Sequence, residues 1–251
     1  MATVQSGQGR ISIFEDFLAG EDIVAATAVG RAFGGSGLRV IGQGAEDTDS
    51  GITVGESDGL NGVGILTTTN EDAHSIGLTT GKVFDVAKMA PINIECRVQF
   101  PDLDTKAFYF GLTDVNGDTA ILEGENLVAS GASVTLTASD LCGFLLDAEA
   151  TDDEDWIMVY NGGTTSGETT IASIDADNDA VAAEWDILRL EIAINGTARW
   201  YVNGVLKQTV TGAVSTSTDL AVMALIETRA ASNEYAWIDY IAIEANRDWT
   251  E

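Results

Sequence analysis

Basic side chains are scarce in this chain. Only 12 lysines and arginines stand against 40 aspartates and glutamates, a formal net charge of −28. Such a surface repels phosphate backbones, and sequence-independent nucleic-acid affinity comes mainly from lysine and arginine. Nucleic acid is therefore set aside as a partner, and anionic membranes are disfavoured for the same reason. The charge reads first as a source of solubility, with divalent-cation binding as the sharper alternative. No run of eighteen apolar residues occurs, so no membrane-spanning helix is expected. The opening MATVQSGQGR has neither an apolar core nor a cleavage-like site, so no secretion signal is expected. Two cysteines make a poor disulfide framework. Cys96 and Cys142 each fall at an apolar position of a strand pattern, where free cysteine behaves as a small hydrophobe; a bridge between them stays open. Proline stops at 2 while glycine reaches 27, so turns here depend on positive φ angles more than on rigid rings.

What is present is alternation. In Trp185 to Val210, Leu188, Leu190, Ile192 and Ile194 alternate with Arg189, Glu191 and Ala193, the period of a half-buried strand. Asn195-Gly196 and Asn203-Gly204 mark two hairpin turns, so three antiparallel strands follow one another. A two-residue loop at Asn195-Gly196 would put Trp200 and Val202 on the wrong face. A three-residue loop, Ile194-Asn195-Gly196, pairs Leu190 with Trp200 and Ile192 with Ala198. It also sets Gly196 at the left-handed position of a bulged turn. The signals conflict around Lys207 and Gln208, which leaves the second hairpin's register open.

Along the rest of the chain, residues 1–10 read as a polar arm and Ile11 to Phe17 as a first strand. Residues 19–64 are rich in small residues and loops, an insertion with strand candidates near Leu38–Ile41 and Val63–Leu66. Ile92, Ile94, Cys96, Val98 and Phe100 alternate with Asn93, Glu95, Arg97 and Gln99, a strand with one wet face, which Pro101 ends. Ala107–Leu112, Leu141–Leu146 and Trp156–Tyr160 read as further strands, with Thr169–Ile174 a short partner to the third. Leu220–Thr228 is apolar on both faces and so interior, and Tyr235–Ala245 is the last strand. No long helix is expected; 178–184 has room for a turn or two. Many short strands with regular turn signals indicate a two-sheet sandwich.

Phe14-Glu15-Asp16-Phe17, the closing Ile238-Asp239-Tyr240-Ile241-Ala242-Ile243 and the hairpin WDILRLEIAINGTARWYVNG resemble elements of the concanavalin A-like lectin and glucanase jelly roll. That resemblance implies pairing of the first and last strands, and sugar binding as an inherited possibility. AFYFGLTDVNGD and GFLLDAEATDDEDW are similar to stretches of tailed-bacteriophage virion proteins that share the sandwich and are usually taken as structural components of the head.

Glucanases of this fold carry carboxylates spaced E-x-D-x-x-E or E-x-D-x-E on one strand, and no such string occurs here. Glu149, Asp152, Asp153, Glu154 and Asp155 read as a solvated acidic turn, and His74 as an exposed loop histidine. Asp114, Asn116, Asp118 and Glu125 stand at positions one, three, five and twelve of a calcium-loop pattern, with Thr119 where the sharp turn requires glycine. A plain acidic hairpin turn is the preferred reading of that stretch, with no metal and no cofactor.

The expectation is an all-β, antiparallel two-sheet jelly-roll sandwich, with a flexible arm at 1–10 and a single domain over 11–251. Its expected role is a non-enzymatic bacteriophage virion structural protein, decorating or cementing the head surface after synthesis in the host cytoplasm. The expected partners are the major capsid protein and further copies of itself as a dimer or trimer. The alternative is a carbohydrate-binding module contacting host surface glycans; a glucanase or lyase with displaced carboxylates comes third.

Overall fold

The computed structural model describes residues 9–18, 23–24, 32–33, 36–45, 47–54 and 62–248. Two large antiparallel sheets pack face to face. The first sheet runs, in spatial order, Val205–Val210, Ala198–Val202, Trp185–Ile192, Ile92–Gln99, Tyr235–Asn246, Gly64–Thr67, Gly51–Val54 and Ile23–Val24. Arg10–Glu15 pairs with the far half of Tyr235–Asn246, so first and last strands do meet, Phe14 lying opposite Ala242. The second sheet runs Asp175–Asp179, Asp155–Asn161, Leu141–Asp147, Lys106–Thr113, Asp219–Thr228, Ser75–Thr79, Leu38–Ile41 and Ala32–Phe33. Successive strands pass from one sheet to the other, as Gly64–Thr67, Ser75–Thr79, Ile92–Gln99 and Lys106–Thr113 do in turn.

The alternating strands occupy the first sheet because one of its faces is wet. Ile92, Ile94, Cys96 and Val98 are buried, and so are Leu188, Leu190, Ile192, Trp200 and Val202. Leu190 pairs with Trp200 and Ile192 with Ala198, the register that burial selects. Gly196 turns the chain with a φ of +73°. In the second hairpin the ladder steps from Trp200–Gln208 to Tyr201–Leu206. Lys207 is thus the extra residue of a bulge, which is why no single period fits that strand.

The second sheet is different: Lys106–Thr113, Leu141–Asp147 and Ser75–Thr79 are buried at every position. Its inner face holds Phe108, Phe144 and Trp156; Phe100 packs on Phe108 and Trp156 at ring separations of 5.3 and 6.1 Å, and Phe108 and Phe144 pack on Trp156 at 6.3 and 6.5 Å. Its other face is covered by the chain from Ala120 to Ala138, including the hairpin Leu127–Ser130 with Ser133–Leu136. Tyr109 lies beneath that cover. A Cβ on Gly111 would stand 2.6 Å from the Tyr109 hydroxyl oxygen, and one on Gly143 would meet the same ring at 3.0 Å. The two glycines face each other across adjacent strands and leave the space that the phenol fills.

The fold revises some of these expectations. The partner of Asp155–Asn161 is Asp175–Asp179, while Ile171–Ser173 forms a 3-10 turn. Residues 1–8 of the expected arm lie outside the described residues, and Arg10 already belongs to a strand. Within 19–64, the described short strands extend the edges of both sheets. The stretch 114–125 is not a hairpin turn: 114–119 lead into the cover and 120–125 form its first part. Cys96 and Cys142 are free and buried, and burial pushes both thiols well above their ordinary range. No described helix is long and apolar enough to cross a membrane.

Candidate functional site

The wet face of the first sheet carries the residues that alternate with the core, and strand pairing sets them in rows. One row runs Trp185, Gln99, Trp237, Ile65 and Thr53. The next brings Ile187, Arg97 and Tyr240 abreast, with Asp239 as the extra residue of a bulge. A third holds Tyr201, Arg189, Glu95, Ala242 and Phe14.

Polar contacts fix the orientation of these rings. Arg97 donates to Asp239 at 2.7 Å and lies 4.6 Å from the Trp185 ring centre. Arg189 lies 4.2 Å from the centre of Tyr201, whose hydroxyl donates to Glu191 at 3.0 Å. Such cation–ring contacts contribute about 0.5–1 kcal/mol at exposed sites. Tyr240 stacks on Phe14 at 5.9 Å and donates to Glu95 at 2.7 Å. Burial, then the bond to the Glu95 carboxylate, pushes the Tyr240 phenol up.

At one end of this face lies a groove of about 410 Å³. Tyr235 and Trp237 line it from alternate positions of the last strand, opposite Thr67 and Ile65. Thr53 reaches it from the next strand, and Pro101 and Asp102 close the far side. Tyr235 is 38% exposed. The Asp102 carboxylate is anchored by Lys106, which is fully buried and also contacts Glu234 at 2.6 Å. A second depression, of about 280 Å³, gathers Glu95, Arg189, Glu191 and Glu244 and offers charge without an exposed ring.

The covered face of the second sheet is closed by an ionic lock. Asp147 and Glu227 flank Ala107 in register, one on each neighbouring strand. The small side chain of Ala107 leaves space between them. The Arg229 guanidinium bridges the two acids, donating to Asp147 at 3.1 and 2.7 Å and to Glu227 at 2.6 Å. The remaining oxygen valences hold the cover: Glu227 accepts the amides of Leu122 at 2.5 Å and Glu123 at 3.0 Å, and Asp147 accepts that of Ala129 at 3.0 Å.

Burial outweighs the opposing pull of Arg229 and the two amides, so the Glu227 carboxyl is pushed up to about 7 from its ordinary 4.5. As pH rises through that interval, the unfolded chain releases this proton before the native one does. The contribution of Glu227 to stability therefore falls between about pH 4.5 and about pH 7 and levels off above. Urea unfolding should show the chain more stable near pH 5 than near pH 8, Glu227 supplying a difference on the order of 3 kcal/mol. Glu227→Gln should flatten that component of the profile; an unchanged profile would place the titration elsewhere.

The residues singled out in the calcium-like stretch are not brought to one point. Asp114 accepts the Asp140 amide at 3.3 Å, and Asp118 pairs with Arg39 at 2.5 Å. The buried Asn116 donates to the Thr80 carbonyl at 3.0 Å, and Glu125 accepts the Ile121 amide at 3.4 Å. The acidic run 149–155 is only partly a solvated turn. Asp155 is buried at the start of its strand, accepts the Asn178 amide at 2.7 Å and gathers with Asp152 and Asp179. Burial, with Asp152, Asp179 and Asp175 adding to it, pushes Asp155 up to about 6. His74 is not an exposed loop residue: its side chain is 18% accessible and lies between Asp47 and Glu71.

No protein-family model matches the sequence, and no curated protein matches it. Solved structures do share its architecture. A protein of unknown function from Shewanella oneidensis MR-1 superposes with a TM-score of 0.56 at 13% identity, over 97% of this chain and 89% of that one. A structure described with endo-acting O-glycanases of the human gut microbiota gives 0.55 at 9% identity, over 92% and 97%. The carbohydrate recognition domain of Emp47p gives 0.52 at 10% identity, over 94% and 97%. Likeness at such identities is likeness of fold. The chain folds as an antiparallel, concanavalin A-like jelly-roll sandwich.

Proposed function

We propose that this chain is a non-enzymatic carbohydrate-binding module, holding a glycan in the groove between Tyr235, Trp237 and Asp102. The observation that carries this reading is the composition of that groove: two rings on one strand, with Thr53, Thr67 and one anchored carboxylate also lining it. A sugar ring has apolar C–H faces and a rim of hydroxyls. It is matched by an aromatic plate with hydrogen-bonding groups at its edge. The groove volume suits a small ligand or the end unit of a chain. Two proteins of the same fold are described by carbohydrate recognition or glycan cleavage, which supports the substrate class. Against catalysis stand the missing carboxylate string and the engagement of Asp147 and Glu227 with Arg229.

Glycan-array binding followed by calorimetry tests the proposal. Trp237→Ala should weaken binding by roughly 30-fold or more, as loss of a central aromatic contact does, with little change in unfolding because the ring lies on the wet face. Unchanged affinity in that variant would overturn the site. Reducing-sugar release from the same glycans should be nil.

A second reading is a phage virion structural protein beside the major capsid protein, as a dimer or trimer. It rests on the phage-like segments, which form parts of the Lys106–Thr113 and Leu141–Asp147 strands and the loops that follow them. Mass spectrometry of purified virions tests it, and absence of the chain from the particles ends it. The two readings are compatible where a head protein touches host glycans.

A further inference from the structure

The sole histidine of the chain sits where two crossovers between the sheets meet. One is the turn joining Gly64–Thr67 to Ser75–Thr79; the other joins Leu38–Ile41 to Gly51–Val54. The first turn is pinned by the Ala73 amide donating to the Thr228 carbonyl and the Thr228 amide donating to the His74 carbonyl, both at 3.0 Å. Ala73 takes a φ of +57°, and the His74 amide donates back to the Glu71 carbonyl. In the second turn, the Asp47 amide and the Ser50 hydroxyl both donate to the Gly44 carbonyl, at 2.9 and 2.8 Å. Gly44 seats the ring: a Cβ there would stand 2.5 Å from His74 Nδ1.

Donor atoms of different kinds converge at that nitrogen. His74 Nδ1 lies 3.2 Å from Glu71 Oε2 and 3.5 Å from Asp47 Oδ2, and the Thr69 hydroxyl lies 3.1 Å from it. Two carboxylates directed at one ring nitrogen call for positive charge between them. Ligand atoms 2.0–2.2 Å from a tetrahedral cation stand about 3.4 Å apart, close to the two distances from the His74 nitrogen to the carboxylate oxygens, and all three ligand atoms lie within 4.8 Å of one another.

We propose that His74, Asp47 and Glu71 bind a divalent transition-metal ion of the zinc type, with the Thr69 hydroxyl beside the site. An imidazole among the ligands selects such an ion over calcium or magnesium, which are held by oxygen. Bound there, the ion ties the turn carrying Asp47 to the 69–75 turn and closes one corner of the sandwich. The site is separate from the proposed glycan groove and does not depend on it.

Because the chain has one histidine, its imidazole is an unambiguous reporter. Zinc should be titrated into the metal-free chain by calorimetry, with the ¹⁵N signals of the ring followed in parallel. The expected result is binding at one equivalent, movement of the Nδ1 resonance over the same range and a higher unfolding midpoint. Calcium and magnesium should give none of these. His74→Gln and Glu71→Gln, checked for folding by circular dichroism, should each lose the one-equivalent binding. In a folded chain, a ring whose ¹⁵N signals do not move with zinc would overturn the proposal. Undiminished one-equivalent binding in His74→Gln would also overturn it, placing the ion on other acids such as Asp152, Asp155 and Asp179.

Discussion

Arg229→Met should destabilise the chain by about 3–5 kcal/mol, the cost of removing one partner from a buried ion pair. The side chains of Asp147 and Glu227 are fully buried and that of Arg229 is 2% accessible, so water cannot take the place of the guanidinium. The substitution leaves two carboxyl groups flanking Ala107 with only backbone amides to neutralise them. Because three of those amides belong to Leu122, Glu123 and Ala129 and the fourth to Glu149, the damage should concentrate in the cover over the second sheet. Hydrogen exchange should accelerate first across residues 120–138 and only later in the Ile92–Gln99 strand. Adding Glu227→Gln should recover part of the loss, because coupled neighbours are not additive. Equilibrium urea unfolding measures both variants. A loss below about 1 kcal/mol for Arg229→Met would mean that the lock is hydrated and that apolar contacts alone hold the cover.

Much of the first sheet was legible because one of its faces is wet. Ile92 to Phe100 and Leu188 to Ile192 show the period directly, and a single register of the Asn195-Gly196 hairpin buries Trp200 and Val202. The conflict at Lys207 was itself the trace of a bulge, but a bulge and a frayed edge look alike without the partner strand. In the second sheet, Leu220 to Thr228 announced an interior strand by being apolar on both sides. What would cover it was not legible. The cover mixes small residues such as Ala120 and Ala129 with Leu122, Leu127 and Val134, and is fixed by three charged residues that only strand pairing brings together.

The candidate site divides in the same way. Trp185, Trp237 and Tyr240 stand at wet positions of alternating strands, an excess of aromatic surface that the sequence displays openly. The groove exists only once Tyr235 and Trp237 face Thr67 and Ile65 from the far end of the chain, and no local pattern signals that pairing. Glu71 and His74 are three residues apart and visible as a pair. Asp47 joins them through a turn whose key residue, Gly44, looks like any other loop glycine.

Trp200→Ala should cost about 3–5 kcal/mol, the range for truncating a large aromatic side chain in a packed core. Trp200 is fully buried between the sheets and packs 6.0 Å from Tyr160. Its indole N–H donates to the Gly143 carbonyl at 2.8 Å, so one side chain both fills the space between the layers and bonds across it. The two contributions separate by substitution. Trp200→Phe keeps most of the volume and loses the donor, so the hydrogen-bond part of its cost should be about 0.5–1.5 kcal/mol; Trp200→Ala loses both. Small residues on the facing strand limit collapse into the gap: Gly143 has no side chain to move, and the Tyr109 ring occupies its other side. The Trp200→Ala chain should therefore unfold at markedly lower urea while keeping its β-type circular dichroism in buffer. The result also tests the hairpin register. A one-residue slip would turn Trp200 to the wet face, where truncation costs within about 0.5 kcal/mol. A near-silent Trp200→Ala would thus reject the Leu190–Trp200 pairing on which the first sheet is built.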